Sequence, residues 1–172
     1  MRGRTRVLAR CAVFTALTAV CAQLAIPLGP VPVNLATFSV LLAGVLLGPK
    51  LGALSQLAYV LLGAAGAPVF ALLRGGAAVL LGPTGGFLFG YVAAAWITGA
   101  LAGRGGGRRR WLSMLAGSAV CLTMGAVWYM AVTHTSLGAA LLTAVLPFLP
   151  GELLKITAAA LVARRLTLAR AG

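Results

Sequence analysis

The stretch that decides the reading is LPFLPGELLKITAA, residues 146–159. It holds Glu152, the single acidic residue of the 172-residue chain, with Lys155 three positions on. Apolar runs flank both. At i, i+3 on a helix the two side chains share a face, so each can offset the other's charge. Pro150 and Gly151 mark a helix start, where the helix dipole favours a carboxylate at 152.

The surroundings of that pair explain its cost. The chain is 61% hydrophobic and 9% charged, with a mean hydropathy of +1.04. A soluble domain usually carries about 25% charged residues. The composition therefore indicates an all-α integral membrane protein, a single membrane domain over residues 1–172. Expected spans are 8–28, 35–48, 51–65, 83–102, 111–132 and 143–163, the last with a main helix that starts near 150. The compact GPKLG turn forces the second and third spans into an antiparallel pair. Residues 66–82, with Arg74 among glycines, read as a partly folded excursion, and GRGGGRRR (103–110) as a flexible polycationic loop. The N-terminal run resembles a signal peptide but is long enough to span a bilayer, and it is expected to be retained.

The formal charge of +13 raises the question of nucleic acid. The cations punctuate apolar runs and form no basic face with a recognisable binding motif, so no nucleic-acid partner is expected. Six spans with both termini cytoplasmic put 12 of the 14 cations on the inner side, leaving Arg74 outside and Lys155 in the membrane. Anionic lipids are the expected contact of the inner clusters.

A charge near mid-membrane costs roughly 2.5–3.5 kcal/mol on insertion scales, so it persists when paired or facing a cavity. Two readings of Glu152 and Lys155 follow: a brace for the bundle, or the wall of a polar pocket opening outward. In a pocket, Glu152 suits ligand N–H donors and Lys155 a carbonyl or carboxylate. Arg74 is a candidate carboxylate clamp or a solvated loop charge. Asn34 either faces the ligand or caps the second helix, and Thr37 lies near it. Phe87, Phe89 and Tyr91 follow GPTGG, which lacks the features of a phosphate loop and reads as close packing at a helix start. LLGPKLG (46–52) and LLGPTGG (80–86) echo one another. On the first helix Ala9, Ala12, Ala16 and Ala19 form a stripe that lets another helix approach. Cys11, Cys21 and Cys121 are unpaired apolar packing, and His134 stands alone. Neither a metal site nor catalytic chemistry is expected.

PVPVNLATFSVLLAGVLLGPKLGALSQLAYVLLGAAGAPVF, then GGAAVLLGPTGGFLFGY and LPFLPGELLK, resemble the bacterial BioY family over roughly residues 9–165. The resemblance implies a six-helix, biotin-binding substrate subunit (S component) of an energy-coupling-factor (ECF) transporter in the bacterial cell membrane. The family's acid and lysine fall on Glu152 and Lys155 and are implicated in holding biotin. Ala12 and Ala16 match its contact for the transmembrane coupling subunit, which works with two cytoplasmic ATPases. Biotin is cargo, and no cofactor is implied. The family often has Asp where Glu152 adds a methylene, and T-L-Q where this chain has Asn34, Leu35 and Ala36. The residues alone also accommodate a stand-alone carrier for another small organic acid, or a structural membrane protein braced by the pair.

Overall fold

The computed structural model describes residues 2–27, 31–103 and 105–168, apart from the side chains of residues 2–4, 167 and 168. Gly29 and Pro30 of the first connector, the cations Arg104 and Arg170, and the side chains of Arg2 and Arg4 lie outside that description. The regular structure among the described residues is helical, save one two-stranded ribbon and an isolated bridge at Phe70 and Arg74. Helices α1 (Arg2–Gln23), α2 (Ala36–Leu47), α3 (Pro49–Ala64), α5 (Gly85–Ala102), α6 (Gly107–Thr133) and α8 (Leu149–Leu168) make the bundle. Two short helices, α4 (Ala77–Leu81) and α7 (Leu137–Ala144), sit in its connectors. Among the described residues, the segments Thr5–Gln23, Gly85–Ala102, Gly107–Thr133 and Leu137–Leu166 are long and apolar enough to cross a membrane. Ala36–Leu47 is a shorter apolar helix.

Two segments differ from the sequence expectation. The first helix stops at Gln23, short of residue 28. Ala25–Ile26 instead pairs antiparallel with Val33–Asn34, forming β1 and β2, and Leu35 N–H reaches back to Leu24 O at 3.2 Å. The ribbon satisfies backbone groups that an apolar setting would otherwise leave unmet. The polycationic segment is not wholly a loop, because Gly107–Arg110 form the first turn of α6. Arg109 Nε donates to Leu101 O at 2.8 Å, meeting a carbonyl at the end of α5. The apolar run after residue 136 divides into α7, a 3₁₀ turn at Leu146–Phe148 and α8. Pro147 lies inside that turn and Pro150 in the first turn of α8, where their missing N–H groups cost little.

Packing relies on small residues. A Cβ on Gly99 would come within 2.5 Å of Pro49 N and 2.7 Å of Gly44 O, so α5 meets the α2–α3 turn backbone to backbone. GPTGG behaves as the close-packed helix start its glycines suggest: a Cβ on Gly86 would come within 2.2 Å of Trp128 Cβ. Between α1, α2 and α3 lies a fully buried, uncharged cluster of Thr15, Thr18, Ser39, Ser55 and Gln56. Thr18 Oγ1 lies 2.9 Å from Ser39 Oγ and 3.1 Å from Gln56 Oε1, while Gln56 Nε2 donates to Ser55 Oγ at 3.1 Å. Where burial of apolar surface gives little drive between helices, such bonds fix which faces meet.

Gly99→Ala has no room that side-chain motion could provide. Overpacking should cost about 1–3 kcal/mol, read as a fall in Tm of the detergent-solubilised protein. Gly138→Ala, on the exposed α7 with nothing within 4 Å of the added carbon, should leave Tm unchanged or raise it.

Candidate ligand cavity

Three helices deliver polar groups to one buried point. Glu152, in the first turn of α8, is 3% exposed and Lys155, one turn on, is 7% exposed. They form an ion pair through Glu152 Oε1. Thr37, in the first turn of α2, donates to the same oxygen at 2.8 Å. Ser118, near the middle of α6, donates to Oε2 at 2.7 Å. Hydroxyl bonds to a carboxylate are charge-assisted and stronger than neutral ones. Lys155 Nζ also donates to Asn34 O at 3.0 Å, a carbonyl available because the chain at 34 is strand and not helix.

The accounts of both ions stay open by a small amount. A carboxylate has roughly four acceptor sites, and three donors reach Glu152. An ammonium has three hydrogens, and two are directed at Glu152 and Asn34. The pair is not sealed behind hydrocarbon: both side chains border a cavity. Besides the pair, its wall includes Asn34, Thr37 and Ser118, the rings of Tyr59, Phe70, Phe87, Tyr91 and Phe148, and Arg74. Phe87 and Phe148 lie nearly parallel, with ring centroids 5.7 Å apart and planes at 14°. Tyr59 packs edge-on to Phe70 at 5.6 Å. The result is an aromatic box with one charged, hydrogen-bonding end.

The sequence candidates divide accordingly. Asn34 lines the cavity, and its Oδ1 accepts from Ala36 N–H at 3.0 Å and from Tyr91 OH at 3.4 Å. Its side chain thus fixes the start of α2 while its carbonyl holds Lys155. Tyr91 and Phe87 face the cavity, whereas Phe89 is 39% exposed and packs against Trp128. Arg74 is exposed where it lines the cavity, which puts it at the mouth. Ala12 and Ala16 are exposed on α1, away from the cavity, along an apolar groove shared with α3. Ser118, Tyr59, Phe70 and Phe148 were not singled out by sequence reasoning. Ser118 carried one usable signal, since a hydroxyl inside an apolar span tends to face a neighbour and not lipid; the aromatic residues carried none.

The wall beside Arg74 is conformationally costly. Leu72 and Leu73 both adopt left-handed backbone, with φ of 61° and 56°, at about 1–2 kcal/mol each for residues bearing a Cβ. Phe70 N–H donates to Arg74 O at 2.9 Å and closes the turn.

The model of the BioY family matches residues 1–171. The probable biotin transporter BioY of Pyrococcus horikoshii is 42% identical over 155 residues, covering 90% of this chain and 92% of its own. The biotin transporter BioY of Thermotoga maritima is 43% identical over 162 residues, with coverage of 94% and 95%. A crystal structure of the S-component for biotin from an ECF-type ABC transporter matches at a TM-score of 0.88 and 29% identity, covering 96% of this chain and 93% of its own.

Removing one ion should harm the fold more than removing both. Lys155→Met strands Glu152 in an apolar wall and should destabilise by about 3–5 kcal/mol. Glu152→Gln combined with Lys155→Met should recover most of that loss in thermal unfolding.

Proposed function

The chain belongs to the BioY family, and on that premise we propose how its cavity takes biotin and passes it on. The protein is the biotin-binding S-component of an ECF-type ABC transporter for vitamin uptake, a multi-pass membrane protein and not an enzyme. The observation that carries the binding reading is the convergence of Glu152, Lys155, Thr37 and Ser118 at one end of an aromatic cavity.

Biotin has a bicyclic ureido head with N–H donors and a carbonyl, and a valerate tail. The remaining acceptor capacity of Glu152 suits an N–H, and the remaining Lys155 hydrogen suits the carbonyl. The carboxylate of the tail is poorly suited to that end, where it would meet Glu152 with a lysine already neutralised. Arg74, the cation at the mouth, is the better partner for it. The head therefore lies deep, the ring system rests among Tyr59, Tyr91, Phe87 and Phe148, and the tail points outward. Asn34 and Tyr91 border the head through their shared hydrogen bond.

The membrane reading follows charge. Six spans with both termini cytoplasmic keep Arg6, Arg10, Lys50, the Arg108–Arg110 cluster, Arg164 and Arg165 on the inner side, where anionic lipids attract them. The cavity then opens to the outside. The exposed Ala12–Ala16 face of α1 is where the transmembrane coupling subunit docks, because small residues allow close helix approach; two cytoplasmic ATPases supply the energy.

Purified protein should bind biotin stoichiometrically and discriminate against lipoate and thiamine in calorimetric titration; equal affinity for all three would sink the assignment. Arg74→Ala should weaken biotin about tenfold or more, the loss of a charge-assisted bond, and leave biotin amide nearly unaffected. An equal loss for both ligands would remove Arg74 from the tail. Ala12→Trp with Ala16→Trp should abolish uptake into cells that contain the transporter module, with binding by the purified subunit intact.

A further inference from the structure

One polar side chain beside the cavity has no place in that account. Gln23, the last residue of α1, does not line the cavity, yet its amide has four partners within hydrogen-bond distance. Nε2 lies 3.3 Å from Ala19 O, 3.1 Å from Val69 O and 3.1 Å from Phe70 O, and Oε1 accepts from Leu73 N–H at 2.9 Å. Three of the four partners belong to the short segment that brings Phe70, Ala71 and Arg74 to the cavity wall.

That segment has few other holds. Tyr59 OH donates to Val69 O at 3.1 Å, and Phe70 N–H closes the turn on Arg74 O. Beyond Val69, among the described residues, Gln23 is the one side chain from elsewhere that hydrogen-bonds the 70–74 backbone. The turn contains the left-handed Leu72 and Leu73, both with side chains facing out, 41% and 70% exposed. The two leucine side chains do not pack to impose that backbone, and the buried Phe70 ring anchors only the start of the turn, which leaves a role for a hydrogen-bonding partner. Gln23 is suited to the task because an amide both donates and accepts: it engages carbonyls at one end of the turn and an N–H at the other. A carboxylate, an ammonium or an apolar side chain of the same length could do only half of this, or none.

We propose that Gln23 is a positioning residue for ligand retention, holding the 69–74 turn in its strained form so that Phe70 and Arg74 stay against the bound molecule. This rests on the biotin reading for its ligand, but the clamp itself is a property of the free protein. The deep end of the cavity is built on helices, whereas this wall is anchored at its start by Tyr59 and the buried Phe70 ring and across its turn by Gln23. Loss of Gln23 should therefore act on escape of the ligand and leave entry and the Glu152 end intact.

Gln23→Leu leaves an uncharged side chain one atom shorter and removes every hydrogen bond of the amide. Gln23→Glu keeps the acceptor for Leu73 and removes the donor, and serves if the leucine variant does not fold. Hydrogen–deuterium exchange of the ligand-free protein should rise about tenfold or more over residues 69–74 in either variant, while α5 and α6 stay protected. The dissociation rate of biotin should rise about tenfold, with the association rate within about twofold of wild type. In an Arg74→Ala background, Gln23→Leu should add less than about threefold to that rate, because much of its effect passes through Arg74. Unchanged exchange over 69–74 overturns the proposal whatever the ligand. Raised exchange with an unchanged dissociation rate, in a protein whose wild type binds biotin, overturns the retention role. Should wild type bind no biotin, the biotin reading fails while the exchange data alone uphold or refute the clamp.

Discussion

A carboxylate held within an apolar bundle has to be neutralised and solvated by protein groups, and much of this structure meets that requirement. Lys155 supplies the counter-charge from the same helix, Thr37 and Ser118 supply hydroxyls from two others, and Asn34 supplies a carbonyl to the lysine. Each donor requires its helix in a particular rotation. The ion pair thus acts as a registration mark between α2, α6 and α8, and a shift of any one breaks a charge-assisted bond. Buried polar groups often contribute more to the uniqueness of an arrangement than to its net stability. Here they also leave a small unmet capacity on both ions beside the cavity.

The cavity exists because α2 is short. Twelve residues span ~18 Å at 1.5 Å each, against about 30 Å for the hydrocarbon of a bilayer. The depth that α2 does not fill is bordered by irregular chain: the β1–β2 ribbon and the residues that lead to Ala36. Non-helical backbone at membrane depth is tolerated where it is buried in protein or lines a cavity, and Asn34 does the second. The short helix that resembles a defect in the sequence is what opens the space.

The legible parts of the sequence were those where one residue departs from its surroundings. Glu152 and Lys155 stand out because charges are costly among apolar runs, and Pro150–Gly151 placed them near a helix start. Asn34 and Thr37 were visible as polar residues beside a proline-rich connector. Ser118 was hard to see because GSAVC reads equally well as small-residue packing; its role depends on the rotation of α6 against α8, which no local pattern encodes. Tyr59, Phe70 and Phe148 look like core aromatics, and two of them touch the cavity only because irregular connectors carry them there. The end of α1 was misplaced for a related reason: residues 24–28 are apolar enough to continue a helix, and the ribbon partner that competes for their backbone lies several residues downstream. The arginines at 108–110 read as loop because glycines precede them, although arginine is itself a good helix former.

The chain order of the site has a consequence for how the protein is made. Asn34, Thr37 and Ser118 are all synthesised before Glu152, and the acid arrives later, on α8. Domains generally fold from the N-terminal end during synthesis, so the nascent bundle is assembled with its hydroxyls waiting and without its only anion. α8, made after the other helices of the site, brings both charges together, already matched on one helical turn. The wall of the chamber is thereby incomplete until α8 has been made, and a product terminated before α8 lacks the ion pair.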